Sequence, residues 1–240
     1  MEPVYQSLSE RALALISKLE SSTNQNRVIV ALAGPPGSGK STIAKNIVGR
    51  LNGTSASPFA AITPVDGFHL PRSTLDQMSN HDEAYARRGA SWTFDAAGVA
   101  QLVQTLSASR FRSLEKLETI LVPSFDHAAK DPVESGIVIG PEMQFVLLEG
   151  NYLLLDEEPW NDIRDLVDET WFVDVVPDLA RNRIARRHLK VGIEQTMDAA
   201  YRRAEGNDLL NGVEIREKLL KPNILLQSVE DSTEWTMMEC

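Results

Sequence analysis

The sequence predicts an α/β fold, a doubly wound and mostly parallel sheet of five strands flanked by helices. Three observations carry that expectation. Seven mostly apolar residues from Val28 (VIVALAG) read as a strand, Gln144–Leu148 (QFVLL) as a strand buried on both faces, and Thr170–Val176 (TWFVDVV) as another strand. Segments with apolar residues at helical spacing alternate with them. The first strand also runs straight into a glycine-rich turn, Gly34-Pro35-Pro36-Gly37-Ser38-Gly39-Lys40-Ser41-Thr42, that opens a helix. The chain of 240 residues, 42% hydrophobic, suits a single domain over 1–240.

Tyr5 to Glu20 places Leu8, Ala12, Leu15, Ile16 and Leu19 on one helical face, and Ser21 to Asn26 is a polar linker, so 1–26 reads as an N-terminal helix and linker. After the glycine-rich turn, Ala44, Ile47, Val48 and Leu51 form the stripe of a helix that ends near Asn52-Gly53. Phe59 to Val65 is a second strand, delivering Asp66-Gly67-Phe68-His69 at its end. About 67–94 is too long and polar for a simple connection and reads as an insertion on the acceptor side of a site. Asp95 caps a helix whose stripe is Val99, Leu102, Val103 and Leu106. Lys116 to Val122 reads as a strand leading to Pro123-Ser124-Phe125-Asp126-His127, and Ile137–Ile139 as an edge strand or hairpin arm. A basic helix, Asp178 to Val191, follows the Thr170–Val176 strand; about 178–211 is the expected lid. Ile224 to Val229 is the last strand.

The glycine-rich turn fits G-x-x-x-x-G-K-[ST] at Gly34, Gly39, Lys40 and Ser41. Its glycines let successive N–H groups turn inward, and the helix behind adds its positive end. Lys40 can reach outer phosphates, and Ser41 can hold magnesium. This makes the chain a P-loop NTPase that binds a nucleoside triphosphate, with ATP and Mg2+ as the expected cofactors. Two acids stand at strand ends on the same sheet edge, where ligands of open parallel sheets bind. Glu149, after a buried run, suits magnesium; its bland alternative is a surface acid. Asp66 suits a base that takes the proton of an attacking hydroxyl, but Asp-Gly is also a common turn pair, and spacing leaves both readings open. The arginines of the basic helix are either a solvated face or a lid bringing guanidinium groups to phosphate; Arg183 and Arg187 share a face.

Bulk properties narrow the classes. With 24 basic and 34 acidic residues the net charge is −10, which disfavours nucleic acid and anionic membrane as partners. The single cysteine, Cys240, permits no intrachain disulfide, and no apolar run approaches a membrane span or a signal peptide. A cytoplasmic location is expected. Assembly is left open, a homodimer included.

VDGFHL (Val65–Leu70), RRGASWTFD (Arg87–Asp95), PSFDHAAKDPV (Pro123–Val133), LLEGNYLLL (Leu147–Leu155) and the basic helix, in this order after the phosphate loop, resemble the phosphoribulokinase/uridine kinase family. The resemblance is nearest to its nucleoside/nucleotide kinase branch, also labelled fructose-transport-system kinase, and extends to pantothenate kinase. It implies an ATP-dependent kinase acting on a hydroxyl of a nucleoside, sugar or pantothenate-like metabolite. It further implies Asp66 as catalytic base, with Lys40, Arg183 and Arg187 in the catalytic set. Phe68, His69, Arg88, Phe125, Asp126, His127 and Asn207 would border the acceptor, with Ser41 and Glu149 on the magnesium side. Phe68-His69 stands where uridine kinases carry Phe-Tyr, which speaks against a uridine pocket. The alternative function is a P-loop ATPase or nucleotide switch with no acceptor.

Overall fold

The computed structural model describes residues 1–21, 25–112, 117–230 and 236–239. Six strands form one sheet in the order β2-β5-β1-β6-β7-β8. They are β1 Val28–Ala33, β2 Ala60–Pro64, β5 Phe145–Gly150, β6 Glu169–Val175, β7 Ile224–Ser228 and β8 Thr236–Glu239. The first five run parallel, as expected. The sixth, β8, adds an antiparallel edge that no sequence signal announced.

The central strand β1 lies between β5 and β6, and all six of its residues are buried, which explains its unbroken apolar run. One sheet face packs against α1 (Glu2–Ser21) and α2 (Lys40–Gly53) through Leu8, Ala12, Ile16, Ile43, Ile47 and Leu51. The other packs against α5 (Ala96–Ser109) and α6 (Ile163–Leu166) through Val99, Val103, Leu106 and Ile163. Asp95 caps α5, accepting from the Gly98 N–H at 2.9 Å.

Two parts of the chain differ from the sequence expectation. The strand expected at Lys116–Val122 falls partly outside the described residues; its visible part is shifted to β3, Ile120–Asp126. With β4, Asp131–Ile139, it forms an antiparallel hairpin outside the main sheet. The polar connection after β2 is largely helical: a 3-10 turn at Val65–Phe68, then α3 (Arg72–Leu75) and α4 (His81–Ala86). After β6 come the basic helix α7 (Pro177–Lys190), α8 (Met197–Arg203), a π-helical turn at Ala204–Asp208, and α9 (Leu209–Glu217). Among the described residues no helix is long and apolar enough to cross a membrane.

Candidate active site

The parallel strands deliver the chemistry to one edge. β1 ends in the phosphate loop, β2 runs into Asp66, and β5 ends in Glu149, which pairs in register with Pro64 of β2 and Leu32 of β1. The loop follows its floor closely. A Cβ at Gly34 would meet the Val173 carbonyl of β6 at 2.5 Å, so only glycine lets the loop lie against that strand. Gly39, with φ of 91°, turns the chain into α2, whose first residue is Lys40.

Lys40 is nearly enclosed. Its Nζ lies 3.8 Å from Glu149 Oε1, and the two side chains are only 12% and 10% exposed. Burial lowers the Lys40 pKa, opposed by the negative charge of Glu149, Asp66 and Asp208. Burial raises that of Glu149, opposed by Lys40 and by a hydrogen bond from the Ser41 hydroxyl. The ammonium is thus aimed at the loop mouth and balanced by carboxylates. Ser41 and Glu149 together set one hydroxyl and one carboxylate side by side. A hard divalent cation that keeps most of its waters takes oxygen donors of this type in this small number.

Asp66 is exposed on the 3-10 turn. Its charge acts on both Lys40 and Glu149, so it stands at the same mouth. Beside it stands a cluster of aromatic rings. The His69 ring lies 4.0 Å from Phe94 and 4.9 Å from Phe125, and Phe125 meets His127 edge-on at 5.3 Å. Phe68 is buried in the core beneath the turn. The hairpin is held close because Gly67 has no side chain: a Cβ there would sit 2.0 Å from the Pro123 carbonyl.

Several expected site residues hold other parts of the structure. Arg183 donates to Gly37 O, Ser228 Oγ and Val229 O at 3.2, 2.7 and 2.6 Å, so its guanidinium braces the loop from beneath instead of reaching over it. Arg187 is the more exposed, with Nη2 3.6 Å from Asp208, and its charge reaches Lys40. Arg88 donates to Lys130 O, Leu70 O and Asp131 and lies 5.7 Å from the Phe125 ring centre; it ties the hairpin to the insertion. Asp126 accepts from the Ala128 and Ala129 N–H groups and so fixes the hairpin turn, which also lowers its pKa. Asn207, buried in the π-helical turn, accepts from Arg87 and donates to the Arg88 carbonyl.

Sequence reasoning missed Arg87, Asn211, Phe94 and Tyr152. Arg87 bonds both Asn207 and Asn211, and Tyr152 donates to the Gly89 carbonyl at 2.7 Å. Phe94 and Tyr152 belong to motifs quoted above, but nothing in one sequence says that their rings meet, 5.6 Å apart, beneath His69.

Residues 29–204 match the Phosphoribulokinase / Uridine kinase family. A Schizosaccharomyces pombe protein, C227.14, which carries a provisional uridine kinase name, is 38% identical over 229 residues, covering 95% of this chain and 92% of that one. A solved structure from Silicibacter sp. TM1040, provisionally named a fructose transport system kinase, is 32% identical. It superposes with a TM-score of 0.72 over 90% of this chain and 98% of that one. The crystal structure of YFH7 from Saccharomyces cerevisiae shares the fold, with a TM-score of 0.83 over 95% and 99% of the two chains at 24% identity. With its phosphate loop, its acids at the same sheet edge and this match over most of its length, the chain belongs to the phosphoribulokinase/uridine kinase family of P-loop kinases, phosphotransferases that act on an alcohol group.

Proposed function

We propose that the chain transfers the ATP γ-phosphate to a hydroxyl of a nucleoside, sugar or pantothenate-like metabolite seated between Asp66 and the His69, Phe125 and His127 wall. The observation that carries this reading is the meeting of two half-sites at one sheet edge: Lys40, Ser41 and Glu149 around the phosphate loop, and Asp66 with the aromatic wall beside them. A switch or ATPase without an acceptor has no use for the second half.

In this reading the loop N–H groups and Lys40 hold the triphosphate and offset the charge that develops on it. Ser41 and Glu149 would hold magnesium, which supplies charge neutralisation on the phosphates when bound. Asp66 orients the acceptor hydroxyl and takes its proton as the oxygen attacks phosphorus. Arg187, whose charge reaches Lys40, would stabilise the transferred group from α7.

The test is an ATP-consumption screen over uridine, pantothenate, sugars and sugar acids, with Asp66→Asn as the blank. Wild type should consume ATP with one class of compound. Asp66→Asn should bind ATP equally but transfer about 10²–10⁴-fold more slowly, the range a positioned base contributes. Equal rates in the two proteins would remove Asp66 from the chemistry. ATP turnover indifferent to every compound would favour the ATPase reading.

A further inference from the structure

His69 stands at the centre of the acceptor half, and its ring is oriented by three separate constraints. Its backbone is clipped on both sides: Leu70 N–H donates to Thr93 O at 2.9 Å, and Asp95 N–H donates to Phe68 O at 2.7 Å. Its ring packs against Phe94 and Phe125, at interplanar angles of 37° and 47°. And its Nδ1 lies 2.8 Å from the backbone carbonyl oxygen of Asp66.

The last contact determines where the proton is. A carbonyl oxygen has no proton to give, so Nδ1 must be the donor. A neutral imidazole carries one N–H, and Nε2 is then left with its lone pair. Among the described residues no protein group hydrogen-bonds Nε2, and it is not one of the buried polar atoms left without a partner. The charged and titratable groups that face the ring are Asp66, Arg88 and His127. Burial, the largest influence, lowers the His69 pKa; Asp66 opposes this, while Arg88 and His127 add to it. Burial thus favours the neutral ring.

We propose that the Asp66 carbonyl locks His69 as the Nδ1–H tautomer, leaving a bare Nε2 facing the acceptor cleft, so that the acceptor must carry a second hydrogen-bond donor, a hydroxyl or N–H, beside the hydroxyl that is phosphorylated. Asp66 thereby contributes twice. Its carboxylate serves the reacting hydroxyl, and its main chain sets which atom of His69 reads the neighbouring one. An acceptor presenting a carboxylate at that point would face a lone pair and be disfavoured. The substrate-class half of this inference rests on the kinase reading above; the tautomer half does not.

Long-range 1H–15N NMR on the full-length 15N-labelled chain separates the two halves. The chain has four histidines, so His69→Phe, which keeps the aromatic packing, identifies the His69 signals by their loss. At pH 7.5 the expected pattern is a protonated Nδ1 and an unprotonated Nε2; protonation at Nε2, alone or on both nitrogens, overturns the proposal. For the compound phosphorylated among uridine, D-ribose, pantothenate and D-glycerate, His69→Phe should raise the acceptor KM about tenfold, the factor for one lost hydrogen bond. The KM for ATP should hold, and His69→Gln, which retains an acceptor oxygen, should recover part of the loss. Lowering the pH into the range where His69 takes up a proton should raise the acceptor KM. An unchanged KM in His69→Phe, or a KM that falls with pH as an imidazolium grips an anion, overturns the donor requirement. If none of the four compounds is phosphorylated, the kinase reading fails for them while the NMR pattern still decides the tautomer.

Discussion

Arg183 and Arg187 stand one turn apart on α7, yet their guanidinium groups end in different places. Arg183 is occupied by three protein oxygens, two of them backbone carbonyls, while Arg187 is 58% exposed and opposite only Asp208. Arg183→Ala should therefore behave as a structural variant: thermal unfolding some degrees lower, and weaker ATP binding because Gly37 loses its brace. Arg187→Ala should leave the melting temperature within about 2 °C, since surface substitutions move stability by about 0.5 kcal/mol. Its expected cost is in kcat, about 10²-fold if it stabilises the transferring phosphoryl group. Paired calorimetric scans and steady-state rates check both, and a reversed pattern would exchange the two roles. At this scale the sequence was only partly legible. Spacing placed both arginines on one helical face, but it could not show that Ser228 and Val229, at the end of β7, would fold back to hold one of them. In the same way Arg88 and Asn207 were legible from the resemblance, while their partners come from hairpin and insertion segments up to 120 residues away; Asp126 is held locally by the Ala128 and Ala129 N–H groups. By contrast the strand–turn–helix frame around Gly34, Gly39, Lys40 and Ser41 was legible, because a phosphate loop is local and its spacing sets its backbone path.

Among the elements, the contact between the 3-10 turn and β3 decides where the acceptor wall stands. Gly67→Ala places a Cβ where the Pro123 carbonyl already is, so the hairpin must retreat. The expected destabilisation is about 2 kcal/mol, the size of a local overpacking defect, or about 4–8 °C in melting temperature. The acceptor KM should rise while the KM for ATP stays put, because β1 and its loop are not touched. A rise in both would mean that hairpin and phosphate loop are not separable. The elements themselves divide by how visible they were. Strands buried on both faces and amphipathic helices announced themselves by composition and period. The second arm of the hairpin was caught only at Ile137–Ile139 because β4 is largely exposed and carries Asp131, Glu134 and Gly136, which give little apolar signal. The short helices of the insertion, four and six residues long, are set by tertiary packing, and no period of 3.6 can be read in so few residues.

For the molecule as a whole, one buried cation joins the far end of the sheet to the helical layer. The Arg27 side chain is completely enclosed, donating to Met143 O at 2.8 Å, Gly140 O at 2.8 Å and Ser109 Oγ at 2.9 Å. Arg27→Met keeps the volume and removes three hydrogen bonds, leaving two carbonyls and a hydroxyl without a donor. About 3 kcal/mol of stability should be lost, or about 6–12 °C, with little change in the affinity for ATP at the opposite edge. A melting temperature within 2 °C of wild type would show that water takes the place of the guanidinium. The sheet so anchored bears the phosphate loop, while two rings of the proposed acceptor wall, Phe125 and His127, are carried by a hairpin that shares no strand with it. That separation has a consequence for rebuilding the protein. Replacement of Ile120–Ile139 would exchange Phe125 and His127 of the proposed wall without touching a strand pairing of the parallel sheet. An engineer can thus graft that segment between relatives and leave the phosphate loop and its sheet in place.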